Sequence, residues 1–435
     1  MFLELLRTRR FAPLFWCQFL SAFNDNFVRN MLAMLLLFRF GTQETGALVS
    51  LAIGIFMLPS IVLSGLGGEI GDAHDKALVI RRLKAAEILV QMVAAAGLWL
   101  SSLLLLYAAL FGLGVIAALF GPIKYGILPD HLKRTELVAG NALIEAATFL
   151  AILLGLVAGA LAAKTTIAPA MVVLQLMGIA LACFATSRFI PATKAAAPHL
   201  AIKANVLAST GALLKDLRQA PFLWQAGLAL SWFWLTGAVA LSLVPVTVRN
   251  ATGGGIEVEA AISALFAIGI GAGSLAAAFF ARGRILLTPT PLAALGMAVF
   301  LIEIGFATYG LAAGLGASHH ETGLAAFFTS AVGLRIAADV TGIAAAGGLY
   351  VVPLFAAVQA EAPTEHRARI VAAINILNAI FMVAGTLATA LLQSRFVGLS
   401  EPLLLIGLGL TNIGAAAYVQ RKIVPYRLLE QDHPV

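Results

Sequence analysis

The chain alternates long apolar runs with short polar breaks. The runs cover 11–38, 45–67, 77–100, 102–128, 137–161 and 167–190, then 221–248, 258–281, 287–314, 340–360, 368–393 and 399–420. A helix needs about 20 apolar residues to cross roughly 30 Å of hydrocarbon, and these runs have that length. The alternating ten-residue segments of an outer-membrane barrel are absent. The pattern predicts an all-α integral membrane protein with about twelve transmembrane helices.

One stretch breaks the pattern. Residues 191–220 read PATKAAAPHLAIKANVLASTGALLKDLRQA and are basic and rich in Pro and Ala. Within them Val206, Leu207, Leu213, Leu214 and Leu217 share one side of a helix, with Lys215 and Arg218 at its polar edge. This predicts a cytoplasmic linker whose amphipathic helix lies on the inner leaflet. It divides the chain into an N-terminal six-helix bundle, 1–190, and a C-terminal one, 221–435. The two halves echo each other. Residues 122–155 and 353–385 each carry a Pro, an apolar run, a Pro-containing polar loop with His, then an Asn in a new helix (Asn141, Asn375). A parallel six-helix repeat of two pseudo-symmetric halves is the plan of major facilitator transporters.

Composition sharpens this. Hydrophobic residues make up 61% of the 435 and charged residues 11%, against about 25% charged in soluble domains. A soluble enzyme and a nucleic-acid binder are excluded. Met1–Arg10 is basic, but the apolar run after it is long, studded with polar residues and lacks a small-residue cleavage site, so no signal peptide is expected. Net charge is +7, and its distribution matters more than its sum. With Met1 placed in the cytoplasm, 21 of the 28 Lys and Arg residues, Lys84 among them, fall on the cytoplasmic side. Five, including Arg335, fall outside, and Arg29 and Lys124 lie within spans. That asymmetry follows the positive-inside rule with both termini cytoplasmic. Cys17 and Cys183 sit in apolar segments, so neither a disulfide framework nor a metal site is indicated. No cofactor is implied.

Polar groups inside the spans carry the chemistry. A charge at a helix centre costs about 2.5–3.5 kcal/mol on insertion scales, yet residues 18–30 read QFLSAFNDNFVRN. Helical spacing places Gln18, Ser21, Asp25 and Arg29 on one face, with Asp25 and Arg29 as an i, i+4 pair. Asn26 and Asn30 form a second row, and Asn24 lies beside them. The stripe is expected to face a central cavity. Span 4 holds Lys124 beside Tyr125, and span 5 holds Asn141 and Glu145. Similar depths predict a Lys124–Glu145 pair. The second half is nearly uncharged within its spans. Glu303 is the exception, without an evident partner. A polar wall opposite an apolar one suits an amphiphile, with its tail entering through a lateral seam of small residues at Ala260, Gly269, Gly271 and Gly273.

The break between spans 2 and 3, GGEIGDAHDKALVIRR, resembles the facilitator motif G-x-x-x-D-x-x-[GD]-[RK] through Gly68, Asp72, Asp75 and Lys76, followed by Arg81 and Arg82. Asp72 is expected to cap or pair with a neighbouring helix terminus and so latch one conformation. The equivalent FFARGRILL of the second half lacks the acid.

The segments QFLSAFNDN, GPIKYGILPDHL, NALIEAATFLAILLG and GGLYVVPLFAAVQ closely resemble the bacterial lysophospholipid transporter family of the major facilitator superfamily. The resemblance implies an inner-membrane flippase among membrane lipids. It would carry lysophospholipids, chiefly lysophosphatidylethanolamine, from the outer to the inner leaflet. There an acyltransferase/acyl-carrier-protein synthetase, sometimes fused to such transporters, re-acylates them. No His-x-x-x-x-Asp acyltransferase signature occurs at any of the seven histidines, so the chain is expected to be a transporter and not an enzyme. Any fused acyltransferase would lie outside it. The implied substrate-binding residues are those of the polar stripe with Lys124, Tyr125, Asn141, Glu145 and Asn375. The implied gate is Gly68, Asp72, Asp75, Lys76 and Arg81. The alternative is a proton-coupled exporter of small amphiphilic compounds, with Asp25 as its protonation site. Two features depart from the family: a long outer segment at 315–339, and Arg29 where Lys is expected.

Overall fold

A computed structural model describes residues 2–38, 45–163, 168–202, 205–309, 311 and 322–426. Arg39, Lys164, Lys203, Arg427 and the first part, 315–321, of the outer segment lie outside the described residues. The order is α1 (Phe2–Arg7), α2 (Ala12–Phe38), α3 (Thr45–Ala73), α4 (Lys76–Trp99), α5 (Leu103–Gly126), α6 (Leu128–His131), α7 (Leu137–Ala162), α8 (Pro169–Arg188) and α9 (Val206–Gln219). It continues with α10 (Pro221–Thr252), α11 (Ile256–Ala281), α12 (Thr290–Thr308), α13 (Leu324–Thr329), α14 (Ala331–Glu361), α15 (Arg367–Gln393) and α16 (Glu401–Lys422). Ten of these helices are long and apolar enough to cross a membrane. The long helices α2 and α4 fall outside that group because of their polar and charged residues.

The chain forms two compact units. The first comprises 1–140, 147–223 and 359–376, and the second 141–146, 224–358 and 377–435. The first is built round Phe27, Met31, Leu32, Leu110 and Leu113, all buried, with Leu176 from α8. The second is built round Val244, Leu301, Phe327, Ile343 and Leu405. In lipid, helices associate through close packing and polar contacts, so small residues mark the contacts. A Cβ on Gly159 would lie 2.5 Å from Phe27 O, and one on Gly114 equally close to Phe56 O. A Cβ on Gly348 would lie 2.5 Å from Ile270 O, and one on Gly273 would run into Ala345 O.

Those contacts correct the expected lateral seam. Gly269 and Gly273 of α11 face the backbone of α14 within one unit, and only Gly271 turns elsewhere, to Ala146 at an ordinary 3.6 Å. Gly273→Ala should therefore lower the thermal midpoint in detergent, reflecting a loss of about 1–3 kcal/mol or more typical of overpacking. Gly271→Ala should leave it nearly unchanged. Equal effects would show that α11 and α14 do not approach as closely as described.

Two boundaries and the packing of one helix also differ from expectation. Helix α3 runs on to Ala73, so Gly68 and Asp72 are helical, not in a loop. Its glycines allow this: a Cβ on Gly67 would lie 2.8 Å from Leu119 backbone, and one on Gly68 would lie 2.7 Å from Ala372 Cβ. Helix α14 begins at Ala331, nine residues before its expected start, because Ser330 Oγ accepts from Gly333 N and supplies the N-terminal cap. That brings Arg335 and Asp339 into the helix. The amphipathic helix is present as α9, with Asn205 as its N-cap. Leu213 and Leu217 are nevertheless buried, and Ser209 donates to Glu69 of α3. This part of its apolar side packs on protein, not on the leaflet.

Candidate functional site

The polar face of α2 meets α4 in a buried network. Lys84 Nζ donates to Ser21 Oγ at 2.6 Å and to Glu87 Oε2 at 2.7 Å. Asn24 Nδ2 donates to Glu87 Oε1 at 3.0 Å. The Lys84 ammonium also stands 4.2 Å from the centroid of the Phe120 ring. Lys84 is 0% and Glu87 1% exposed. Dehydrating two ions costs several kcal/mol each. They are tolerated here because each has its opposite charge plus a further hydrogen-bonding group. One turn along α4 from Glu87, Gln91 is equally buried. Its amide oxygen and nitrogen, and Asn24 Oδ1, have no hydrogen-bond partner among the described residues.

Lys84, Glu87 and Gln91 were not among the residues expected from sequence. Lys84 was expected on the cytoplasmic side. It stands eight residues into α4, about 12 Å along the axis. The signal was present as a Lys, Glu and Gln spaced three and four apart on one helical face, but a polar start to an apolar run reads equally as an interface.

Asp25 stands beside this network, half-buried. The charges acting on it are Glu87, Lys84, Arg29 and Lys124. Among the described residues it makes no hydrogen bond. The expected close Asp25–Arg29 pair is not formed. Arg29 Nη2 instead donates to Asn26 Oδ1, and its guanidinium lies 5.7 Å from the Phe56 centroid. The amide three residues back supplies an acceptor on the same side of the helix, and the aromatic face holds the guanidinium. The other stripe residues are engaged structurally. Asn26 Nδ2 donates to Ala22 O at 2.8 Å, Asn30 Nδ2 to Leu156 O at 2.6 Å, and Gln18 Nε2 to Thr148 Oγ1 at 3.0 Å. Asp25 thus keeps a carboxyl group that no hydrogen bond among the described residues consumes.

The remaining expected residues divide between the units. Lys124 is in the first, its ammonium 4.8 Å from the Tyr125 ring centroid. Tyr125 O accepts from Gln359 Nε2 at 3.2 Å. Asn375, half-buried on α15, lies against Gly121. Asn141 and Glu145 are fully buried and belong to the second unit. Cys17 and Cys183 are free, buried and 3.8 Å apart at sulfur.

The motif residues form a second cluster, within the first unit. Asp72 is completely buried and caps α15: it accepts from Ala368 N at 3.0 Å, and from Arg369 N and Arg369 Nε at 3.1 Å each. A carboxylate is stabilised at a helix N-terminus by the free amides and the helix dipole. Asp75 caps α4 through Ala77 N and also accepts from Thr193 N and Thr193 Oγ1. Lys76 Nζ lies 3.0 Å from Asp130 Oδ2, whose other oxygen takes Arg367 at 3.3 Å. Arg81 donates to Ile190 O at 2.7 Å, whereas Arg82 is exposed. Asp130, Arg367 and Arg369 were not expected here; they stand 54 to 297 residues from their partners, beyond any local signal.

Asp72→Asn removes charge from a cap of three hydrogen bonds. A bond to a charged group is worth about 1.5–3 kcal/mol. In a Cys17→Ser, Cys183→Ser background, it should raise maleimide labelling of Ala368→Cys by on the order of tenfold. Unchanged labelling would mean that Asp72 does not hold this terminus.

The Major Facilitator Superfamily profile matches residues 14–386. The chain belongs to the major facilitator superfamily. Curated relatives include the lysophospholipid transporter LplT of Serratia proteamaculans, 29% identical over 288 residues, which are 63% of this chain and 67% of that protein. LplT of Yersinia pestis is 31% identical over 284 residues, covering 63% and 66%. The matched region thus spans about two thirds of these relatives' length. Among solved structures, the human organic anion transporter MFSD10 (TETRAN) aligns with a TM-score of 0.73 at 16% identity, over 94% of this chain and 99% of that one. The facilitator FucP in its outward conformation gives 0.68 at 12% identity, over 95% and 98%. These structural likenesses establish the fold. This facilitator is a multi-pass membrane transporter, and its relatives are named as transporters, not enzymes.

Proposed function

We propose that this facilitator moves lysophospholipid, chiefly lysophosphatidylethanolamine, from the outer to the inner leaflet of the bacterial inner membrane by alternating access. Both termini would face the cytoplasm, where an acyltransferase would consume the product. The observation that carries this reading is that the two units offer both charged and apolar surroundings, as an amphiphile requires. The first holds the Lys84–Glu87 network and the open carboxylate of Asp25. The second holds an apolar cavity of about 300 Å³ lined by Leu228, Trp232, Tyr350, Phe381 and Tyr418 among others. The names of the curated relatives support the same substrate class.

In this reading Asp25 meets the ammonium of the head group, and Lys124 or Arg29 meets its phosphate. Tyr125, Asn141, Glu145 and Asn375 complete the polar path, and the Asp72 cluster gates it. The tail stays in apolar surroundings. Each CH₂ exposed to water costs about 0.8 kcal/mol, so dragging a tail of about sixteen carbons through water would cost on the order of 10 kcal/mol.

The test is uptake of radiolabelled lysophosphatidylethanolamine by spheroplasts that carry or lack the chain. Uptake only in the carriers supports the assignment. Efflux of small amphiphilic dyes without lysolipid uptake would move it to the exporter class.

A further inference from the structure

In the second unit the carboxylate of Glu303 is met by Arg335, whose Nε donates to it. What remains there is the apolar cavity between α10, α14, α15 and α16. The residues that line it all belong to this one unit. Among the described lining residues four carry polar side-chain atoms, and each of those atoms is turned into the protein. Trp232 Nε1 donates to Asn412 Oδ1 at 3.2 Å, Tyr350 Oη to Ala229 O at 3.2 Å and Thr411 Oγ1 to Leu408 O at 2.7 Å. Tyr418 Oη donates to Gln225 Oε1. The cavity therefore presents ring faces and methyl groups, and its own donors are already spent. A cavity of that kind stays dry and takes hydrocarbon.

Its volume, about 300 Å³, sets what fits. A water-sized group takes about 30 Å³ in a condensed phase, so the space holds on the order of ten methylenes. That is part of one acyl chain, not of a pair. The opening lies along α16, where Thr411 and Gly414 are exposed. Gly414 keeps it clear, since a Cβ there would meet nothing within 4 Å. Thr411, Gly414, Ala415 and Tyr418 line the cavity at helical spacing, so they form one stripe of α16. The stripe runs on to Arg421 and Lys422, both exposed, in the last turn. Along the axis Lys422 stands about 6 Å beyond Tyr418 and about 17 Å beyond Thr411. An apolar slot thus leads to two cations, in the order in which chain and phosphate follow one another in a lysophospholipid. Basic residues at the end of a spanning helix attract anionic lipid groups and mark its cytoplasmic end.

We propose that this cavity is a lysophospholipid site on the release side of the transporter, with the single acyl chain in the cavity and the phosphate on Arg421 and Lys422. It is separate from the Asp25 network, which belongs to the first unit. A two-chain phospholipid is disfavoured, because its second chain finds no room in the cavity and must splay from the first at the glycerol. The release role rests on the transport reading above; the binding site itself does not.

Photo-crosslinking reads the site directly. The purified full chain, in nanodiscs of unlabelled diacyl phospholipid, receives lysophosphatidylethanolamine with a diazirine in its chain. A parallel sample receives diacyl phosphatidylethanolamine with the same group, and labelled peptides are mapped by mass spectrometry. The lysolipid should label the stretches round Trp232 and Gly414 severalfold more than the diacyl probe at equal density. Gly414→Leu fills the cavity and should lower this labelling about tenfold, whereas Gly407→Leu should leave it unchanged. Gly407 lies on the same helix with the same free space about its Cβ but does not line the cavity, so the pair separates filling from any effect on folding. Replacing Arg421 and Lys422 together by Gln should weaken labelling about fivefold or more. Labelling unaltered by Gly414→Leu would overturn the cavity site, and labelling unaltered by the double Gln variant would overturn the phosphate contact. Equal labelling by the two probes would make the cavity a seat for bilayer lipid and overturn the lysolipid assignment. Labelling at the site without lysolipid uptake by spheroplasts would leave the site standing and remove the transport reading.

Discussion

Asp25→Asn should reduce lysophospholipid uptake to near background while leaving expression and thermal stability unchanged. The substitution keeps size and removes only charge. Among the described residues the carboxylate makes no hydrogen bond, so the fold loses little. The substrate would lose a great deal. A hydrogen bond to a charged group is worth about 1.5–3 kcal/mol, which is roughly 10- to 100-fold in affinity. Arg29 and Lys124 would then act on the site without the Asp25 carboxylate that opposes them, repelling the ammonium of the head group. Full activity in the Asn variant would reduce Asp25 to a packing residue.

Lys84→Met should have the largest effect on stability. It leaves the Glu87 carboxylate buried and tied only to Asn24. Breaking a buried ion pair from one side costs about 3–5 kcal/mol, whereas replacing both partners by apolar groups is often neutral or stabilising. The double variant Lys84→Met, Glu87→Met should therefore recover most of the thermal midpoint that the single variant loses, as read by gel filtration after heating in detergent. The cycle should be strongly non-additive. Additive losses would mean that the two side chains do not act as a unit. Recovered stability without recovered transport would assign the pair a role in handling the head group.

Much of the architecture was legible in the sequence because lipid imposes a simple rule: spanning helices need long apolar runs. The expected run 137–161 emerged as Leu137–Ala162 and 368–393 as Arg367–Gln393. Where the rule failed, it failed at charges. Lys84, Glu87, Arg335 and Asp339 lie near the ends of apolar runs, and there a run boundary and a buried ion pair look alike in one dimension. Asp25 was legible because it sits in the middle of a run. Asp72 was legible as a cap from its motif, but its partners on α15 were not, since nothing local to residue 72 points to residue 369. The expected Asp25–Arg29 pair followed from helical spacing alone. It missed Asn26, which competes for the same guanidinium from three residues away.

The most direct measurement is flipping of fluorescent lysophosphatidylethanolamine in proteoliposomes, with outer-leaflet label destroyed by a membrane-impermeant reductant. Wild-type protein should protect label against time by moving it inward, and Asp25→Asn should protect no more than empty vesicles. Equal protection by wild type, by the variant and by empty vesicles would contradict lysophospholipid transport by this chain.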